Sequence, residues 1–397
     1  MRTLVLLILA IVLSQFFRST MAVLAPDMAA DLGATAADLG RLSGMWFLAF
    51  STVQIPIGVL LDRWGPLRCA SLGLAVTAAG AIVFGAAPSL EVAYLGQALL
   101  GLGCAPLYMA SVVVMARRYS IERFALANGY VIAISNLGLV LSATPLAALD
   151  LWFGWRGAMG IMGAVTAMLA LLLGFAARGE KTGAPESLSR AFAGILAIMR
   201  LRVLWWMLPF SFVCSGVVLS VRGIWAGPYL YEVHGLAPIE YGDVLAAMVI
   251  ALAAGNLLFG WLSSRLGSPK PYIAGVALLG VAATGALAGA PDMALAPAIA
   301  CLIAIGFYGA AYGLVIAHGR AFFPKGMEGR GATLLNFFNF FGTAVLQVAT
   351  GEALAGAQEA GASMAGAYGW VFGLLSVALL ATAILYLRSP DPRASAR

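Results

Sequence analysis

Apolar residues dominate this chain in a series of long runs, and polar residues collect in short stretches between them. Most runs are about as long as the twenty residues that an α-helix needs to cross a bilayer. Backbone polar groups inside lipid must be satisfied within one segment, so the runs are predicted to be helices. The twelve predicted spans are 4–25, 39–61, 70–88, 92–114, 125–147, 157–176, 203–230, 243–263, 272–290, 296–317, 331–351 and 366–386.

The longest polar stretch, residues 177–202, falls after the sixth span. It predicts an N-terminal six-helix bundle over 1–176, a linker over 177–202 and a C-terminal six-helix bundle over 203–397. The first run could be a cleaved secretory signal, but no clean cleavage site precedes Arg18 and the apolar run continues to Pro26. We therefore expect it to be a span.

Basic residues set the orientation of the spans. Of the 23 Lys and Arg residues, 19 fall in loops or termini on one side, and 11 of the 17 acidic residues fall on the other. Positive loops stay in the cytoplasm. The chain is therefore predicted to be a multi-pass protein of the cell inner (plasma) membrane with both termini cytoplasmic.

Composition excludes several classes of protein. The chain is 62% hydrophobic and only 10% charged, against about 25% charged in soluble domains. A soluble enzyme or a disordered chain is excluded, and the basic charge reflects orientation rather than nucleic-acid binding. No P-loop, GxSxG or HExxH motif occurs, so neither an enzyme nor a cofactor is expected. The four cysteines lie far apart in apolar runs, so they predict small buried residues rather than disulfides or a metal site.

The two halves repeat one another weakly. Adding 204 to a residue number converts Arg18 to Arg222, Tyr108 to Tyr312 and Gly138 to Gly342, and adding 202 converts Gln54 to Asn256. Matching Arg, Tyr and amide positions at nearly one offset indicate two pseudo-symmetric bundles, as transporters built from repeats show.

One loop carries a recognisable motif. The segment Gly58-Val-Leu-Leu-Asp62-Arg63-Trp-Gly65-Pro-Leu-Arg68 joins spans 2 and 3, and a degenerate copy with Gly260, Arg265 and Gly267 joins spans 8 and 9. Both resemble the signature loop of the major facilitator superfamily. The resemblance implies the major facilitator fold, secondary transport by alternating access, and a conformational gating role for Gly58, Asp62, Arg63, Gly65, Arg68, Gly260, Arg265 and Gly267. Gln97 stands where many members carry Arg, and Ser264 replaces the second signature Asp, which weakens the case for a family-wide proton mechanism.

Two arginines are predicted to lie deep in the membrane. Arg18 is nine residues before Asp27 and Arg222 ten before Glu232, which places each roughly 14 Å below the outer boundary. A buried Arg there costs at least about 2.5–3.5 kcal/mol and needs a partner. No acidic residue is obviously at the same depth, so an anionic substrate held by one Arg from each half is the natural partner.

The arginine pair also resembles the organophosphate/phosphate (organic anion) exchangers of the same superfamily, which carry Arg in spans 1 and 7. The alternative is that both arginines bond to backbone carbonyls as structural glue. Other polar or aromatic residues of the spans are candidates to line the pocket with them; these are Tyr108, Tyr312, Gln54, Asn256, Asn136, Asn339, Trp46 and Trp225.

The spans show no titratable group at depth, because His234 and His318 fall near span ends. We therefore expect transport of a small organic anion, a carboxylate or phosphate ester, by anion exchange or with the substrate carrying its own proton. The alternative is a proton-coupled multidrug or metabolite exporter of the same superfamily, which would favour an acidic pocket. A metal importer would need a convergent Met, His and Cys cluster, which the chain lacks. The expected partners are the lipid bilayer and a small anion, and the protein is expected to be a monomer.

Overall fold

The computed structural model describes residues 2–54, 56–119, 127, 130–178, 180, 196, 198–266, 269–323 and 328–391. Within these residues, the helices with defined bounds are sixteen α-helices and one π-helix. They are α1 Arg2–Phe17, α2 Met21–Leu32, α3 Ala36–Gln54, α4 Ile57–Trp64, α5 Pro66–Gly85, α6 Leu90–Arg118, α7 Leu137–Leu141, α8 Thr144–Ala176, α9 Leu204–Ser220, the π-helix Val221–Trp225, α10 Ala226–His234, α11 Pro238–Leu266, α12 Lys270–Gly289, α13 Leu295–Tyr308, α14 Ala311–Arg320, α15 Glu328–Glu359 and α16 Met364–Tyr386.

Nine stretches of the described helices are long and apolar enough to cross a membrane, or ten when the bent pair α1 and α2 is taken as one span. The difference from twelve has two local causes. The predicted second span divides into α3 and α4 around Pro56. The predicted fifth and sixth spans form one apolar stretch, Tyr130–Ala176. Inside it the expected outer loop is helical and turns at Gly154, whose φ is 67°.

The chain forms two compact units. The N-terminal unit comprises Met1–Ala34 and Met45–Phe192, and the C-terminal unit comprises Thr35–Gly44 and Ala193–Arg397. The first turns of α3 thus belong to the C-terminal unit. There Arg41 Nε donates to Glu352 Oε1 of α15 at 2.9 Å.

Each unit holds its helices together by close backbone contacts at corresponding glycines. A Cβ on Gly138 would lie 2.0 Å from the Val12 carbonyl oxygen, and one on Gly342 would lie 1.9 Å from that of Phe212. Both contacts join the fifth span of a half to its first span. A second pair of glycines makes close backbone contacts at corresponding places in the two halves. A Cβ on Gly101 would lie 2.1 Å from the Trp46 carbonyl oxygen, and one on Gly306 would lie 2.5 Å from that of Met248. The sequence repeat is therefore also a repeat of helix contacts.

The outer surfaces of both units are apolar. Trp152 of the N-terminal unit is 74% exposed, and Leu257 and Val377 of the C-terminal unit are 77% and 69% exposed. Exposed apolar side chains of this size are favourable in lipid, and their exposure to water would cost free energy. The cysteines are free, and Cys69, Cys104 and Cys214 are buried, as expected for small apolar residues.

Candidate substrate site

Arg18 lies at a break in the first span. Helix α1 ends at Phe17, α2 begins at Met21, and the two helices are bent by 48°. The break is a tight turn in which the Ser19 N–H donates to the Phe16 carbonyl at 3.0 Å and the Thr20 hydroxyl donates to the Phe17 carbonyl at 3.2 Å. The Arg18 side chain is partly exposed. Discontinuous spans are where transporters of this kind expose polar groups to substrate.

Arg222 lies in the corresponding irregular segment of the C-terminal unit. It is the second residue of the π-helix Val221–Trp225, and it is only 3% exposed. In a π-helix the hydrogen bonds join residues five apart instead of four, so the helix is wider than an α-helix. Such segments are often found at functional sites. The two symmetry-related arginines are therefore both placed where the regular α-helical hydrogen bonding is interrupted.

A buried polar ridge of α15 packs beside this π-helix. The ridge consists of Asn339, Thr343, Gln347 and Thr350, which recur at helical spacing and are at most 1% exposed. Trp225 Nε1 donates to the Thr350 hydroxyl at 2.8 Å, and Gln347 Nε2 donates to the Leu219 carbonyl at 3.2 Å. Of these ridge residues only Asn339 was predicted to line the site, and Trp225 joins it from the π-helix.

Tyr312 and Asn336 form a second polar contact in the C-terminal unit. The Tyr312 hydroxyl donates to Asn336 Oδ1 at 2.7 Å, joining α14 to α15. Asn256, predicted to lie in the pocket, is exposed on α11. The Tyr312 side chain therefore contacts α15. Among the described contacts, Asn256 makes none with the ridge.

The predicted pocket residues of the N-terminal unit are spread over several helices. Trp46 and Gln54 of α3 are 2% and 3% exposed, and the Trp46 ring stacks on Phe50 with centroids 5.0 Å apart. Tyr108 on α6 is 36% exposed. Asn136 is a partly exposed residue in the turn before α7.

The signature loop begins α5 with an unusual cap. Gly65 has a φ of 88°, which favours glycine. The Glu180 carboxylate accepts the Leu67 N–H at 3.0 Å and the Arg68 N–H at 3.2 Å, so it satisfies two free donors of the helix start. A Cβ on Gly65 would lie 2.5 Å from Glu180 Oε2. The positive φ favours glycine at this position, and the Glu180 carboxylate occupies the space that a Cβ would enter.

Replacing Glu180 with alanine is expected to lower the free energy of unfolding of the purified protein by about 1–2 kcal/mol, the usual value of a helix cap. Thermal unfolding in detergent measures this change. The exposed Glu359 is the control, and Glu359→Ala is expected to leave the unfolding midpoint unchanged. Equal midpoints for the two variants would show that the carboxylate does not stabilise the loop.

The other predicted gating residues are only partly described. Arg63 and Arg68 are exposed, and Gly58 and Asp62 lie in α4 with their side-chain surroundings outside the described part of the chain. In the second copy, Gly260 and Arg265 lie in α11, again without described side chains, and Gly267 lies outside the described residues. Their gating role remains a prediction.

Three residues near Arg222 were missed by the sequence comparison of the two halves: Gln347, Thr350 and Ser220. The offset of 204 pairs Gln347 with Ala143 and Thr350 with Leu146, so a search for repeated polar positions passes over them. For Gln347 and Thr350, the signal that could have found them is the recurrence of polar residues every three or four positions in α15.

A family model described as Major Facilitator Superfamily matches residues 7–347. The chain belongs to this superfamily. The prediction from the signature loop is confirmed, and so is the all-α membrane fold. Members of the superfamily are transporters, so this major facilitator protein is a membrane transporter and not an enzyme.

Relatives with transporter names match part of the chain. The probable L-galactonate transporter of Escherichia coli (strain K12) is 27% identical over 277 residues, which is 66% of this chain and 61% of that protein. Monocarboxylate transporter 11 of Homo sapiens is 29% identical over 262 residues, which is 63% of this chain and 53% of that protein. The matched part of this chain thus spans between half and two thirds of these relatives' lengths.

Solved structures extend the similarity to the whole fold. A bacterial homolog of the human lysosomal transporter Spinster, in an inward-facing and unoccupied conformation, has a TM-score of 0.77 at 20% identity, covering 98% of this chain and 95% of that one. A D-xylose-proton symporter has a TM-score of 0.74 at 13% identity, covering 98% of both chains. At these identities the similarity establishes the major facilitator fold.

Proposed function

We propose that this major facilitator protein transports a small organic anion, a carboxylate or phosphate ester, across the cell inner membrane. The observation that carries the proposal is the placement of Arg18 and Arg222 at the interrupted segments of the first and seventh spans. Each guanidinium is a permanent cation whose planar set of donors matches a carboxylate or phosphate. Each unit contributes one such group.

The names of the relatives support an organic acid as substrate. The relatives are called an L-galactonate transporter and a monocarboxylate transporter, and both names describe carboxylates. A carboxylate needs one or two strong donors, which an arginine supplies. A multidrug exporter for cations is disfavoured, because permanent positive charge at both interrupted segments repels a cation.

Anion exchange is the transport mode that we propose. A bound anion offsets positive charge in the low-dielectric interior, so we expect the loaded carrier to change conformation more readily than the empty one. In this mode the protein works as a monomer with both termini in the cytoplasm, the side that carries 19 of the 23 basic residues.

Trans-acceleration in proteoliposomes tests the exchange mode. Labelled L-galactonate uptake is expected to be several times faster into vesicles loaded with unlabelled L-galactonate than into vesicles loaded with an uncharged hexitol at equal osmolarity. Protein-free vesicles give the background. Equal rates in both kinds of vesicle, together with acidification of the lumen during uptake, would replace exchange with proton symport.

A further inference from the structure

The ridge residue Gln347 carries a buried hydrogen-bonding atom that the described structure does not satisfy. Its Nε2 donates to the Leu219 carbonyl, whereas its Oε1 is buried with no hydrogen-bond partner among the described residues. The two neighbouring ridge hydroxyls differ, because Thr343 donates to the Asn339 carbonyl at 2.8 Å and Thr350 to the Leu346 carbonyl at 2.8 Å. An unsatisfied buried amide oxygen is rare and calls for a ligand or a function.

The amide of Gln347 lies against the turn that carries Arg222. Its donor bonds to Leu219, three residues before Arg222, and a Cβ on Gly223 would lie 3.7 Å from Gln347 Nε2. Residue 223 is glycine, so no side chain at that position lies between the Gln347 amide and the backbone of the π-helix. The donor bond to Leu219 thus holds the Gln347 amide against the backbone segment 219–223, which includes Arg222.

A second unsatisfied group occurs on the same segment. Ser220 is fully buried, and its hydroxyl oxygen has no hydrogen-bond partner within the described part of the protein. A glutamine oxygen accepts a hydrogen bond, and a serine hydroxyl can donate or accept one. Two neutral groups with free hydrogen-bonding capacity therefore lie on, or against, the segment 219–223 that carries Arg222.

Gln347 and Ser220 have no polar counterpart in the N-terminal half at the offset of the repeat, although another buried amide there, Gln97 Nε2, also has no partner among the described residues. Arginine is repeated at the offset of 204, but Ala143 stands at the position that corresponds to Gln347 and Phe16 at the position that corresponds to Ser220. Two equivalent arginines alone would suit any small anion. A neutral hydrogen-bonding set in one half suits an anion that also carries hydroxyl groups, since hydroxyls donate to an amide oxygen and plain carboxylates have no such donor.

We infer that Gln347 and Ser220 form a hydroxyl-recognition subsite beside Arg222, and that the substrate is a hydroxylated carboxylate such as a sugar acid. This inference rests on the proposed transport of organic anions and narrows its substrate class. Gln347 acts as a specificity-determining residue, because a ligand without hydroxyls leaves its buried oxygen unpaired. Sites that hydrogen-bond a substrate hydroxyl discriminate strongly against analogues that lack it.

Calorimetric titration of the purified full-length protein with two six-carbon acids tests the subsite. L-galactonate carries hydroxyls along its chain, and hexanoate has the same chain length with none. The unmodified protein is expected to bind L-galactonate at least about tenfold more tightly than hexanoate. Gln347→Met, which keeps the length of the side chain, is expected to weaken L-galactonate about tenfold and to change hexanoate less than twofold.

A matched control uses another buried glutamine. Gln97 on α6 is 1% exposed, and its Nε2, like Gln347 Oε1, has no hydrogen-bond partner among the described residues. It does not lie on the segments around Arg222, so Gln97→Met is expected to leave the ratio of the two affinities unchanged. If Gln347→Met weakens both acids equally, or if Gln97→Met changes the ratio as much, the subsite is wrong while organic anion transport stands. If the unmodified protein binds neither acid, both the subsite and the proposed function fail. Ser220→Ala gives a second variant, with a smaller change in the ratio expected in the same direction.

Discussion

Arg18→Gln and Arg222→Gln are each expected to lower the uptake of a labelled organic anion in proteoliposomes by at least about 100-fold. An arginine that binds a carboxylate through two charge-assisted hydrogen bonds loses both when it becomes glutamine, and each such bond contributes about 1.5–3 kcal/mol. Arg222→Lys retains the charge without the planar donor set, so we expect a smaller loss, about tenfold.

The same variants separate substrate binding from structural use of the arginines. If the arginines bind substrate, the purified Gln variants remain monodisperse and unfold near the temperature of the unmodified protein. If they hold helices together instead, the variants unfold at lower temperature while the folded fraction still transports. The exposed Arg200 supplies the matched control, and Arg200→Gln is expected to change neither uptake nor stability.

Gly342→Ala is expected to prevent correct folding or to destabilise the protein by more than 3 kcal/mol, about the upper range for overpacking. The added Cβ would lie 1.9 Å from the Phe212 carbonyl oxygen, which belongs to the backbone of α9 and cannot rotate away. Helix α15 would have to move off the π-helix segment that it packs against. Yield of monodisperse protein and the thermal unfolding midpoint measure the effect.

Two further glycines make this prediction specific. Gly138→Ala in the N-terminal unit meets the Val12 carbonyl at 2.0 Å and is expected to be as damaging as Gly342→Ala. Gly356 lies on the same helix as Gly342 with nothing within 4 Å of its added Cβ, so Gly356→Ala is expected to be neutral or slightly stabilising. Normal folding of Gly342→Ala would contradict the helix contact itself.

The superfamily was predictable from the chain because two kinds of local signal agreed. The signature loop around Gly65 and Arg68 supplied the family resemblance, and the family model over residues 7–347 confirms it. The offset of 204 from Gly138 to Gly342 predicted a repeat, and the structure gives both glycines the same backbone contact. At these two positions a residue with a Cβ would collide with the backbone of the neighbouring helix, so the contact requires glycine.

The sequence predicts site residues only where both halves carry the same type of residue at the offset of the repeat. Arg18 and Arg222 stand out as charges in apolar runs, and the offset pairs them. Gln347 and Ser220 have no polar counterpart in the first half, so the repeat could not single them out. Asn256 and Gln54 match by offset but differ in burial, since Asn256 is exposed and Gln54 is buried, so the pocket role of Asn256 stays a prediction.

The sequence by itself determined that the chain is helical, spans a membrane and consists of two related halves, because lipid permits few ways to satisfy a backbone and the charges mark the loops. Only the tertiary structure decided that the first span breaks at Arg18, that the seventh widens to a π-helix at Arg222, and that Gln347 lies against that helix. The last of these depends on a hydrogen bond between helices distant in the chain. Apolar periodicity records which residues are buried, but it does not record which buried polar atoms meet.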